Sequence, residues 1–414
     1  MPSDASSSAT DAGAARATTV RRVLLLAPYL GDGGINTHML TLGSELRRLG
    51  LEVAICSGGV LAGTTHLDIA TGQPQALRSP TPDDYERAGI RHLHASIPAS
   101  PHRLSELPHL LLIPVAMWQV VRAVRRFRPD VVHSHSRQMG LYARVAQLLS
   151  RVPFVSTVHS PVTPRNRLWA ATTFLGARVL AVSDEIRTGL IRDYRVPPER
   201  VRVVPPGPDA SHFRPPSAEE RRSARERWNL GPDRFVVAFV GSLTSNKHPE
   251  TLVEAVADLA GAGRDVVLLL AGRGPVEGEV TALASSLGVG DRVRLLGYQD
   301  ARSVLWAADA FVLPSRSEGS ALVVPEAMLS GVVVLSTPVS GAVRQLTPGA
   351  TGFLFEHEDH RELAQRLAEL IDRPELRTSI AARALEEGRA RYSSTAMVEA
   401  VRETYEEAVG ERRT

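Results

Sequence analysis

Cysteine is almost missing from this chain: Cys56 is the sole one, so no intramolecular disulfide can form and the sequence suits a reducing compartment. Cys56 closes a Val53-Ala54-Ile55 run and reads as a buried, inert thiol. Long apolar runs are missing too. No stretch of about 18 apolar residues occurs; the nearest approach, Leu110 to Val121, is short and interrupted by Pro114, so a membrane-spanning helix is not expected. The first 18 residues are rich in Ser, Ala, Thr and Asp, without the apolar core of a signal peptide. They read as a disordered tail, and the chain as cytoplasmic. A strong charge imbalance is also lacking. The formal net charge of +3 over 414 residues does not argue for nucleic acid, which needs a concentrated basic face.

What is present is an ordinary globular composition, 43% hydrophobic and 22% charged, in a chain too long for one core. Short apolar strands alternate with amphipathic helical stretches, a pattern that predicts a parallel sheet covered on both faces. Strands are expected at 20–27, 51–55, 131–133, 154–158, 178–182 and 201–204, with a helix from about Asn36 to Leu49 after the first. Pro205, Pro206, Pro208, Pro215 and Pro216 then fall within twelve residues, ahead of a charged helix over 219–228. Such a cluster is a linker signal. The strand pattern restarts at 235–240, 266–270, 292–296, 310–313 and 332–335. The fold class is therefore α/β, with two Rossmann-like halves facing a cleft: 19–212 and 213–391. A last helix is expected over 393–408. Nucleotides bind such sheets at the carboxyl ends of the strands.

The most informative segment runs from Ser315 to Met328. Glu318 and Glu326 are separated by seven residues, and Pro325 fits the first turn of a helix, where its missing N–H costs nothing. Glu318 then lies in the loop ahead of the helix and Glu326 in its first turn. Amides near Ser320, Ala321, Leu322 and Val323 would favour a diphosphate, and Gly319 would let backbone approach a ligand closely. A carboxylate in the first turn can accept from ribose hydroxyls, and one in the loop from sugar hydroxyls.

These residues resemble glycosyltransferase family 4, retaining enzymes of the GT-B fold. The family's E-x7-E motif reads Glu318 to Glu326, and its preceding context reads Trp306-Ala307-Ala308-Asp309-Ala310-Phe311-Val312-Leu313-Pro314-Ser315. The resemblance runs from about residue 20 to 410 and is most specific over 235–356. It implies that Glu318 contacts the donor sugar, Glu326 the ribose, and amides at Ala321 to Val323 the phosphates. It also implies a C-terminal helix, within 392–414, crossing back to the first half. After the strand ending at Val240 the family carries an arginine and a lysine on the diphosphate; here Lys247 matches and Ser242 replaces the arginine. Serine brings no charge, so binding should lean on Lys247 and helix amides, or on Arg273. In the first half, Gly31-Asp32-Gly33-Gly34 resembles the family's glycine loop, so Gly33 and Gly34 would lie against the donor. Read without context, that turn equally suits a dinucleotide. It departs from that pattern at Asn36, however, and no acidic residue ends the second strand.

His159 ends a strand where the family places a histidine on the transferring sugar. His133 and His135 alternate at another strand end and could suggest metal, but a third ligand at useful spacing is not apparent, and no metal is assigned. No Asp-x-Asp occurs, which removes the usual metal-diphosphate clamp of the other major glycosyltransferase fold. The expectation is a metal-independent, retaining transferase without cofactor, using a nucleoside-diphosphate sugar as substrate and no nucleic acid. Donor base, sugar, acceptor and oligomeric state are left open. The alternatives are a GT-B epimerase or phosphorylase, or a sugar-nucleotide-binding protein without transfer, for which Ser242 speaks. Arg122, Arg125, Arg126 and Arg128 follow an apolar stretch and offer a basic face that can rest on anionic lipid.

Overall fold

Strands of a parallel sheet are buried on both faces and so need near-continuous apolar runs, which this chain supplies twice. The computed structural model of the chain describes residues 20–30, 34–58, 66–67, 74–75, 81–97, 112–160, 175–318 and 321–411. The 1–18 tail, the glycine-loop residue Gly33, and the loop residues Gly319 and Ser320 lie outside these.

The first sheet contains β1 (Arg22–Leu26), β2 (Glu52–Ser57), β5 (Arg91–His94), β6 (Val131–Ser134), β7 (Phe154–Val158), β8 (Arg178–Ala181) and β9 (Val201–Val203). Two short strands, β3 (His66–Leu67) and β4 (Pro74–Gln75), pair separately. The seven strands are ordered β5-β2-β1-β6-β7-β8-β9, and every pairing is parallel. The second sheet holds β10 (Phe235–Val240), β11 (Val266–Ala271), β12 (Val293–Gly297), β13 (Ala310–Leu313), β14 (Val333–Ser336) and β15 (Phe353–Leu354), ordered β12-β11-β10-β13-β14-β15 and again all parallel. The two sheets with their helices make two Rossmann-like domains of the GT-B kind. In each, all the strand carboxyl ends, and thus all the loops that can carry chemistry, fall on one edge.

The last helix, Ser394–Gly410, does return to the first half. Met397, Val398, Val401, Tyr405 and Ala408 join a core containing Val23, Leu25, Met39, Leu42 and Leu46. The two chain crossings touch: the Ser394 amide donates to the Pro208 carbonyl at 2.9 Å, and a side chain on Gly207 would collide with the Ser393 backbone. Ser394 also donates its hydroxyl to Glu45 on the first helix at 2.9 Å. On the outer flank, the Ile113–Phe127 helix buries Ala116, Val120, Val124 and Phe127 and turns Val115 and Trp118 outward. Among the described residues no helix is long and apolar enough to cross a membrane.

Candidate active site at the facing sheet edges

The carboxyl ends of β10, β11 and β12 finish in bare backbone. Gly241, Gly272 and Gly297 follow or close these strands, the Gly241 amide donating to Ala271 and the Gly272 amide to Gly297. Gly272 adopts φ 145°, and a Cβ there would run into the Gly241 carbonyl oxygen, so only glycine allows the two loops to abut. Ser242 follows this junction and is exposed. Arg273 lies beside it, its backbone carbonyl accepting from Leu243. Its guanidinium binds Glu277 at 3.1 Å, and no described contact takes it to Lys247 or Glu318.

Lys247 and Glu318, 71 residues apart, are brought together as an ion pair. Each comes from a loop at the carboxyl end of neighbouring strands, β10 and β13. The loops are tied to each other as well: Asn246 donates its side-chain amide to the Ser317 carbonyl at 2.9 Å and accepts from the Arg316 amide at 2.8 Å. The buried Ser315 hydroxyl donates to the Glu318 carboxylate at 2.7 Å, and Ser340 donates to the Glu318 carbonyl at 2.7 Å. Glu318 is therefore held from three sides. Ser315 was legible only as motif context, and Asn246 and Ser340 gave no signal, because isolated small polar residues carry no spacing pattern.

Ala321 is buried, and Leu322 and Val323 are half-buried, at the start of the Val323–Leu329 helix, where no side chain caps the first turn. Glu326 lies in that turn as expected. Burial pushes its carboxyl from the ordinary 4.5 up to about 7, and the Asp300 carboxylate acts in the same direction. Asp300, which caps the helix after β12, was not anticipated.

The other sheet contributes histidines. His159 follows β7 and His135 follows β6, at the carboxyl ends of adjacent parallel strands. The fold adds His38 from the first helix, its ring 4.9 Å from that of His159 between centroids, while His135 Nδ1 and His159 Nε2 lie 3.3 Å apart. His133 is tied down at both nitrogens, by the Tyr405 hydroxyl of the returning helix and by Thr157, each at 2.7 Å. Burial keeps all four rings neutral: it lowers His38 to about 4 and His133 to about 3, and it holds His135 and His159 well below the usual value, with the neighbouring rings adding to the effect. Gly34 begins the helix that carries His38.

One ion pair shows how the two edges meet. Arg344 of the Ser340–Gln345 helix, whose first residue holds Glu318, reaches Asp184 at 3.0 Å. Asp184 opens the helix that follows β8. The carboxyl edges of the two sheets thus face each other across this bridge.

The chain is similar to known proteins over most of its length. The family model described as Glycosyltransferase Family 4 matches residues 32–212, and that described as Glycosyl transferases group 1 matches residues 220–387. A D-inositol 3-phosphate glycosyltransferase of Actinosynnema mirum is 31% identical over 86% of this chain and 88% of its own. The chain belongs to glycosyltransferase family 4. A second enzyme of that description, from Acidothermus cellulolyticus, is 30% identical over 96% of this chain and 92% of its own. Among solved structures, a glycosyltransferase from Rickettsia africae superposes with a TM-score of 0.77 at 20% identity, covering 94% of this chain and 99% of that one. Anabaena HepE in complex with UDP and glucose gives 0.69 at 19%, covering 92% and 98%. These two likenesses show the GT-B fold. In this family 4 glycosyltransferase, the candidate residues Lys247 and Glu318 lie at the carboxyl edge of the second sheet and His159 at that of the first.

The raised Glu326 carboxyl has a measurable consequence. Between its ordinary value and about 7 the folded chain keeps a proton that the unfolded chain has lost, so this residue lowers stability as pH rises through that window. Below it both states are protonated and the effect vanishes. Glu326→Gln should raise the unfolding free energy by about 1–3 kcal/mol at pH 8 and leave it unchanged near pH 4. Urea denaturation at the two pH values decides; an equal gain at both would assign the effect to packing instead.

Proposed function

We propose that this glycosyltransferase moves a sugar from a nucleoside diphosphate to an acceptor hydroxyl with retention and without a metal ion. The observation that carries the reading is the Lys247–Glu318 pair, a cation and a carboxylate jointly positioned at the donor-side strand ends. In this account the donor diphosphate takes Lys247, and the sugar hydroxyls take Glu318. The amides from Ala321 to Val323, in the uncapped first turn, support the phosphates, with Ser242 adding a neutral hydrogen bond. Glu326 accepts from the ribose, and Gly34, at the start of the first helix, approaches the phosphates from the other half.

As the bond between the anomeric carbon and the diphosphate oxygen breaks, negative charge grows on the departing phosphate, where Lys247 and the amides stabilise it. The acceptor oxygen attacks from the same face, and its proton passes to the leaving phosphate oxygen. His159, a neutral imidazole, offers a hydrogen bond to the sugar rather than a charge. Closure of the halves about the touching chain crossings would exclude water and limit hydrolysis.

The related enzymes named for D-inositol 3-phosphate and the HepE complex with UDP and glucose make UDP-sugars and that inositol phosphate the first candidates to try. A thermal-shift screen of UDP-, GDP-, ADP- and dTDP-sugars should show one base raising the melting temperature. Lys247→Ala should weaken that donor by about tenfold or more, since a charge-assisted hydrogen bond is lost. Proton NMR of the product formed with EDTA present should show the donor's anomeric configuration. An inverted product, or a lysine variant with unchanged donor affinity, would sink the reading.

A second part of the proposal concerns location: the outer flank rests on anionic membrane surface. Trp118 (59% exposed) and Val115 (45%) project outward, with Arg122 stacked 5.2 Å from the indole. The adjacent Arg137–Ser150 helix exposes Leu148 and Leu149, and Arg125 donates to the Leu149 carbonyl at 3.4 Å, so apolar and basic groups share one face. Sedimentation with phosphatidylglycerol vesicles should pellet the protein, and phosphatidylcholine vesicles should not. Trp118→Glu should cut the bound fraction severalfold, and equal binding of both proteins would refute the assignment.

A further inference from the structure

Four histidines converge at the carboxyl edge of the first sheet, and the proposed transfer uses one. His133 is committed, each ring nitrogen having a hydroxyl partner at 2.7 Å. The remaining three each offer a ring nitrogen, and those three atoms lie within 4.8 Å of one another. Among the described residues, the buried Nδ1 of His38 has no hydrogen-bond partner. Buried polar atoms are nearly always paired, so this orphan, beside two further imidazoles, calls for a ligand.

We infer that His38, His135 and His159 form a site for a transition-metal dication of the zinc type, with three imidazole ligands and a fourth position open. Three imidazoles without a carboxylate or thiolate suit Zn²⁺ better than Mg²⁺ or Ca²⁺, which take oxygen ligands. Tetrahedral bonds of about 2.0–2.1 Å place ligand nitrogens roughly 3.3–3.4 Å apart. His135 Nδ1 and His159 Nε2 already stand at 3.3 Å, and one ring nitrogen from each of the three histidines lies within 4.8 Å of the others. The site has a built support: the His133 ring packs on His135 at 4.0 Å between centroids, and Tyr405 anchors His133 from the returning helix.

The site does not depend on the transfer reading. Its consequence does: His159 cannot hold a metal and a sugar at once, so the ion acts as a competitor of the donor rather than as a cofactor.

Full-length protein stripped with EDTA should take up one Zn²⁺ per chain in competition with a chromophoric chelator. His38→Asn and His135→Asn should each weaken that binding by about 10–100-fold or more, while His360→Asn, on the far surface beside Asp258, should not change it. X-ray absorption on the zinc-loaded wild type should count three imidazoles, which settles the matter even if a variant folds poorly. Unchanged affinity in folded His38 and His135 variants, or fewer than three imidazoles, would overturn the site. Zinc should also inhibit transfer reversibly; stoichiometric binding without inhibition would uphold the metal site and remove His159 from the sugar's contacts.

Discussion

The site depends on one contact, that between Lys247 and Glu318. Parallel sheets deliver every loop to one edge but do not by themselves bring a particular cation to a particular carboxylate. Here the adjacency of β10 and β13 does so, and Asn246, Ser315 and Ser340 fix the loops around the pair. From Ser340 the connection runs along one short helix to Arg344 and across to Asp184, so the order of the donor-side loop is linked to the approach of the two halves. In the proposed function the two charges satisfy each other until a ligand that carries both phosphate and hydroxyls takes both.

The carboxyl edges are where the chain departs from what stability alone would favour. Both cores are ordinary, with continuous Val, Leu, Ile and Phe strands packed on both faces. At the edges stand a buried carboxyl in Glu326, histidine nitrogens without partners among the described residues, and glycine backbone where no side chain fits. Each is unfavourable for folding, and all fall on the two edges that face each other. Perturbed groups gathered in one place are a physical mark of a site. The returning helix joins the two themes, since Tyr405 is at once a core residue and the partner of His133.

Much of this was legible in the sequence, for a reason that differs between strands and site. The central strands β1, β2, β6, β7, β10, β11 and β13 came through because burial on both faces demands unbroken apolar runs. β5 reads Arg-His-Leu-His and lies at the sheet edge, and β15 has two residues, so neither gives a run to detect. Glu318, Glu326 and Lys247 were legible through a motif with fixed spacing. His38 was not, because a helical histidine has no spacing relation to His135 and His159, 97 and 121 residues further along the chain. Arg273, a cation in the loop after β11, is paired with Glu277, four residues on at the start of the next helix. Arg344 and Asp184 meet only because the two halves turn their edges together.

The central claim is that the diphosphate of a sugar nucleotide displaces Glu318 from Lys247 at the carboxyl edge of the second sheet. A crystal structure with a bound nucleoside diphosphate tests it most directly. The account predicts phosphate oxygens within hydrogen-bond distance of Lys247 Nζ and of the amides from Ala321 to Val323, with the Glu318 carboxylate freed toward the cleft. A diphosphate seated elsewhere, with the Lys247–Glu318 pair still closed, would contradict it.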